Sequence, residues 1–95
     1  MKESYIQRKV CEYAKNTGWL TIKIHPMYSV GFPDVIAYSP NGKMVHLEFK
    51  TPTGKLSKVQ TAMHEQLTTR GATVLVVTSI EQGKEVINNY NCERV

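Results

Sequence analysis

The triplet Glu48-Phe49-Lys50 closes the run MVHLEFK. Along that run Val45, Leu47 and Phe49 alternate with His46, Glu48 and Lys50, the period of a strand with one buried face. Glu48 and Lys50 therefore share a face at roughly 6.5–7 Å spacing, and Phe49 points to the core. A second carboxylate, Asp34, opens the run DVIAY, and Ser39-Pro40-Asn41-Gly42 between the two runs is a hairpin turn. If that turn sets the register, Asp34 stands level with Glu48 or Lys50. Carboxylates so close repel each other unless a cation neutralises them. Mg²⁺ takes a few carboxylate oxygens together with water and a phosphate oxygen. A lysine beside it orients a water or offsets charge on the phosphate. Together these groups suit hydrolysis of a phosphodiester. Taken singly, each has an ordinary explanation: a Glu and a Lys two apart on a strand also make a solvated face, and an Asp after Pro also makes a turn.

Positioning these groups takes the rest of the chain. Residues 3–17 carry Ile6, Val10, Tyr13 and Ala14 on one helical stripe, and Gly18 stops that helix. Residues 19–25 alternate Leu20, Ile22 and Ile24 with Thr21, Lys23 and His25, a half-buried strand. Residues 26–33 form a proline-bounded loop, followed by the two hairpin strands over 34–38 and 44–50. After a loop over 51–55, a helix over 57–70 presents Val59, Met63 and Leu67, with Gly71 at its C′ position. Residues 72–78 (ATVLVVT) read as a strand buried on both faces, which calls for helices on both sides of the sheet. Ser79 caps a last helix reaching about Tyr90, with Gln82 completing a capping box. The order α-β-β-β-α-β-α is an antiparallel meander followed by a helical crossover to a parallel strand. The expected architecture is an α/β sandwich with a mixed sheet flanked by helices.

Composition bounds the function. With 95 residues, 41% hydrophobic and 21% charged, the chain suits one small globular domain spanning 1–95. Its longest apolar stretch, 72–77, is far short of a bilayer span, and its N-terminus lacks a signal-peptide core, so a soluble, intracellular protein is expected. Economy of length suits a phage or mobile element. Cys11 and Cys92 suggest neither a disulfide scaffold nor a zinc site, and His25, His46 and His64 lack metal-ligand spacing. Charge is uneven: residues 1–58 hold nine basic and four acidic residues, net +5, and residues 59–95 hold three and four, net −1. Lys55 and Lys58 border the second helix, whose N-terminus also favours anions, and read as phosphate contacts or as a solvated basic face. Tyr28 and Phe32, beside Asp34, cover the core, stack on a base or meet a partner. Seven of the eight acids are Glu; Asp34 is the lone Asp.

GFPDVIAY, HLEFKTPTGKLSKVQ and GATVLVVTS, with the spacing between them, resemble the virus-type replication-repair nuclease (VRR-NUC) domain of the PD-(D/E)xK superfamily, over roughly residues 3–82. The resemblance implies a restriction-endonuclease-like core and a Mg²⁺ or Mn²⁺ cofactor. It implies that Asp34, Glu48 and the Phe49 backbone carbonyl bind the metal and that Lys50 is the catalytic lysine. Glu3 matches an acid near the start of the family's first helix, implying a catalytic place near the metal, directly or through water. Against this, Glu is favoured at any helix N-terminus, and a Ser4–Gln7 capping box would leave Glu3 outside the helix. Gln60 matches the family's helix glutamine beside the site, while Ser57-x-x-Gln60 is also a good capping box. Both readings of each residue stand. The implied activity is metal-dependent endonucleolytic cleavage of DNA, structure-specific on branched DNA in the manner of a Holliday-junction resolvase, by a homodimer. The alternatives are a flap, nick or single-strand nuclease, or a catalytically silent nucleic-acid-binding subunit.

Overall fold

The computed structural model describes residues 1–25, 27 and 30–91. The elements run α1 (Glu3–Asn16), β1 (Leu20–Lys23), β2 (Val35–Tyr38), β3 (Met44–Phe49), α2 (Lys58–Thr69), β4 (Val74–Val77) and α3 (Ile80–Asn91), the expected order. Tyr28 and Cys92 lie outside the described residues.

β3 organises the sheet. It pairs antiparallel with β2 and parallel with β4, giving the order β1-β2-β3-β4. Ser39 closes the β2–β3 hairpin: its N–H donates to the Lys43 carbonyl at 2.8 Å, and its Oγ accepts from the Lys43 N–H at 2.9 Å. The resulting register sets Val35 opposite Leu47, and therefore Asp34 level with Glu48.

One face of the sheet is the core. Val35, Ala37, Val45, Leu47, Phe49 and Val77 meet Ile6, Val10 and Ala14 of α1 and Ile87 of α3, none more than 1% exposed. Each large apolar side chain so buried contributes roughly 1.5–3 kcal/mol. The two helices touch directly because α3 carries Gly83 where they cross. A β-carbon there would lie 2.9 Å from Val10 Cγ1, inside van der Waals contact. Trp19 closes one end of this layer, its indole N–H donating to Asn91 Oδ1 at 2.9 Å and its ring edge-on to Tyr90. α1 and α2 end as expected at Gly18 and Gly71, each with a Schellman pair. Trp19 N–H reaches the Ala14 carbonyl and Ala72 N–H the Leu67 carbonyl.

The other face departs from expectation. α2 crosses only the β3–β4 end of it, and β4, last in the strand order, is an edge strand with Val74, Leu75 and Val76 half-buried and only Val77 buried. An apolar run reports an average tendency to be covered, not the helix that must cover it. In β1 it is Thr21, opposite Ala37, that faces the core side. Leu20 and Ile22 point the other way, 60% and 42% exposed, on the same face as Tyr38 and Met44. Val59 also turns outward, and the one buried residue of α2 is His64. At α3, Gln82 N–H donates to Ser79 Oγ at 3.1 Å, but Gln82 Oε1 accepts from the Thr78 N–H at 2.7 Å. The reciprocal bond thus lands one residue earlier than a capping box requires.

Candidate active site

The sheet brings its polar groups together where β2 begins and β3 ends. Register puts Asp34 and Glu48 level on neighbouring strands, and alternation puts Lys50 on the same face. Asp34 Oδ2 accepts the Phe49 N–H at 2.8 Å, and the Asp34 carbonyl accepts the Ile24 N–H at 2.9 Å, so both its side chain and its backbone are tied to the flanking strands. Extended by two residues, the same register sets Pro33 opposite Phe49. Proline has no N–H to give, which leaves the Phe49 carbonyl without its ladder partner.

Glu48 is 1% exposed. Its carboxyl is pushed up to about 8, first by burial and then by the hydrogen bond with Asp34 and the Asp34 charge; Lys50 opposes the rise and Glu3 adds to it. Glu3 is therefore close enough for its charge to be felt. It occupies the first position of α1, with Lys2 as N-cap and no side-chain cap, so the Ser4–Gln7 box is not formed. The helix starts too early for Ser4 to cap it.

α2 closes the site from above. Ser57 and Gln60 form the capping box: Gln60 N–H donates to Ser57 Oγ at 3.1 Å, and Ser57 N–H donates to Gln60 Oε1 at 2.9 Å. The other end of the same amide, Nε2, lies 3.4 Å from Glu48 Oε2 as a donor. The two readings of Gln60 are thus compatible, since one end caps and the other faces the carboxylate. His64, one turn further on, sets Nε2 3.2 Å from Glu48 Oε1. Burial lowers its pKa, with Lys50 acting in the same direction and Asp34 opposing, which favours the neutral ring. Sequence reasoning missed His64. The signal available was its i+4 spacing from Gln60, which puts both on one side of a helix.

The remaining candidates fall further out. Lys55 lies in the exposed loop before α2 and Lys58 is its first residue; among the described residues neither forms an ion pair. His46 is buried, its Nδ1 3.1 Å from the Thr73 carbonyl and its ring edge-on to Phe32 at 5.6 Å, so both are packing residues. His25 Nδ1 accepts the Met27 N–H at 3.2 Å. A cleft of about 660 Å³, lined among others by Arg8, Cys11, Lys15 and Lys23, lies on the α1 side of the sheet, away from the carboxylates. Cys11 is a free thiol whose pKa is raised by burial, against the pull of Lys15 and Lys23.

The donor set fits a hard divalent cation. Among the described residues no three His, Cys, Asp or Glu side chains gather into a metal-holding group. Asp34 and Glu48 are the carboxylates that could hold a cation there, and oxygen donors of this kind suit Mg²⁺, which keeps several waters and takes one or two carboxylates.

Known proteins bear on this geometry. The sequence profile of the VRR-NUC domain matches residues 7–81. A solved structure described as "VRR_NUC domain" superposes with a TM-score of 0.83 at 30% identity, covering 93% of this chain and 96% of the other. A second, described as "VRR_NUC domain protein", shares the fold with a TM-score of 0.77 at 18% identity, over 95% of this chain and 88% of that one. No curated protein matches the chain. Among the described residues no helix is long and apolar enough to cross a membrane. The span matched by the profile and the 30% identity over nearly the whole of both chains together establish that this chain belongs to the VRR-NUC domain family and has its nuclease-type fold.

Proposed function

We propose that the protein is a Mg²⁺- or Mn²⁺-dependent DNA endonuclease. The observation that carries this reading is the buried Glu48 carboxyl level with Asp34, on the face that also presents Lys50. Asp34, Glu48 and the Phe49 carbonyl would hold the cation, with Glu3 near enough to act directly or through a water. The bound cation would act as a Lewis acid on the scissile phosphate and lower the pKa of an attacking water. Lys50 orients that water and offsets charge that develops on the phosphate. Gln60 steadies Glu48, and Lys55 and Lys58 meet flanking phosphates, a contact that is independent of sequence.

We further propose a homodimer acting on branched DNA. Leu20, Ile22, Tyr38 and Met44 support the dimer: they form an apolar sheet face that α2 leaves uncovered. A two-fold pair presents two sites related by symmetry, which suits paired incisions at a junction.

Labelled four-way junction, flap, nicked, duplex and single-stranded DNAs, offered to wild type and Asp34→Ala with and without Mg²⁺, test the reading. Symmetric paired cuts by wild type alone, and only with metal, are expected. Preference for a flap, a nick or a single strand would remove the junction assignment. Absence of cleavage of any DNA with Mg²⁺ or Mn²⁺ would leave a nucleic-acid-binding subunit.

A further inference from the structure

We infer that His64 is a positioning residue that holds the Glu48 carboxylate in one orientation toward the cation it would share with Asp34. The inference rests on the metal-dependent reading above. Gln60 and His64 reach Glu48 from the same side of α2, and each takes a different oxygen: Gln60 Nε2 lies 3.4 Å from Oε2 and His64 Nε2 lies 3.2 Å from Oε1. A carboxylate held at both oxygens cannot swing about its last bond. The histidine contact is the shorter of the two, and Gln60 is already committed through Oε1 to the Ser57 N–H. His64 is 9% exposed and Glu48 1%, so water is poorly placed to substitute for a lost partner.

The hold does not block the proposed ligand. A carboxylate oxygen accepts at two lone pairs, so one bonded to α2 keeps a second for a cation. Such supporting bonds fix the ligand before the metal arrives, and their loss typically weakens metal binding 10–100-fold. The bland alternative is that His64 only fills space beneath α2. Two substitutions separate these: His64→Phe keeps a buried ring and removes the ring nitrogen that faces Glu48, whereas His64→Gln keeps a side chain able to donate an N–H and removes the ring.

The test is calorimetric titration of the full chain with Mn²⁺ and Mg²⁺, without DNA, alongside junction cleavage. His64→Phe is expected to bind Mn²⁺ at least about 10-fold more weakly than wild type, and His64→Gln within about 3-fold of it. Should His64→Phe fail to fold by circular dichroism, His64→Leu supplies the same comparison. Donor-free binding within about 2-fold of wild type overturns the inference. So does a His64→Gln variant as weak as the donor-free one. Wild type that takes up neither cation instead overturns the metal-dependent reading and His64's role with it, so the wild-type curve judges the reading and the variants judge His64.

Discussion

The two faces of the sheet divide labour along single strands. Toward α1 and α3, β3 presents Val45, Leu47 and Phe49 to a dry layer in which even helix-to-helix contact is close enough to require Gly83. Toward α2, the same strand presents His46 and Glu48, and the helix answers with Gln60 and His64. The first face stabilises the fold. The second works against it, because a carboxyl buried beside another carboxyl raises the energy of its charged form. The comparison teaches that one residue of spacing separates groups that hold the molecule together from groups that the molecule must hold.

Substitutions at neighbouring positions should break the two faces independently. Phe49→Ala strikes the core face and should cost about 3–5 kcal/mol, read from chemical denaturation. In a domain of this size that is a large part of the total stability. Lys50→Ala, the next residue, strikes the other face. It should lower cleavage by about 100-fold or more while DNA binding and the melting temperature stay near wild type. Equal loss of stability from both would mean that the faces are not separable.

The third expectation concerns pH in the absence of metal. The folded-state pKa of Glu48 lies above its ordinary value of 4.5, at about 8, so the folded chain binds the extra proton between them. The stability this confers is fully present below the unfolded value and is lost as pH rises through the folded one. His64, with its pKa lowered, gives the opposite slope, but only as pH falls through its ordinary value of 6.5. From pH 7 to 8 the Glu48 slope therefore dominates, because the raised Cys11 thiol adds a fall of the same sign only nearer its ordinary value of 9.0. The fall should be about 1 kcal/mol, or roughly 4–8 °C in Tm. Glu48→Gln should abolish it, and Mg²⁺ should stabilise wild type more at pH 9 than at pH 7. A pH-independent Tm in EDTA would show that Glu48 titrates normally.

The smallest effect sharpens the comparison on α2 itself. Gln60→Ala loses only the Ser57 N–H to Gln60 Oε1 half of the capping box, so it should cost about 0.5–1 kcal/mol and also reduce cleavage. Ser57→Ala instead removes the N-cap and leaves the Gln60 amide facing Glu48, so it should cost about 1 kcal/mol while cleavage stays near wild type. Equal loss of cleavage from Ser57→Ala and Gln60→Ala would confine Gln60 to capping.

The sequence made the core face more legible than the other. Alternation in MVHLEFK and the Ser39–Gly42 turn suffice to predict Phe49 in the core and Asp34 level with Glu48 or Lys50, and the observed register selects Glu48. The Ser57–Gln60 box was also readable, because capping is local. What escaped depends on contact between distant segments. Leu20 and Ile22 are as apolar as Val45 and Leu47, but no helix arrives above them. The stripe Val59, Met63, Leu67 suggested an apolar underside for α2, whereas Val59 turns outward and His64 is buried. A polar helix face directed at a buried carboxylate cannot be told from a solvated one by periodicity, because both look hydrophilic. Val74 to Val76 failed in the reverse sense, apolar yet half-buried at an edge.

Gly31 has a mechanical consequence. Its backbone has a φ of +83° and lies so near α2 that a β-carbon would sit 2.7 Å from the Val59 carbonyl oxygen. Gly31 lies three residues before Asp34, and Val59 immediately precedes Gln60. The loop leading to one carboxylate is thus pressed against the helix that contacts the other, and the gap between them is gauged by the thickness of a peptide backbone. Any side chain at position 31 acts as a wedge between that loop and α2, moving Gln60 and His64 away from the Asp34–Glu48 pair while leaving every chemical group intact.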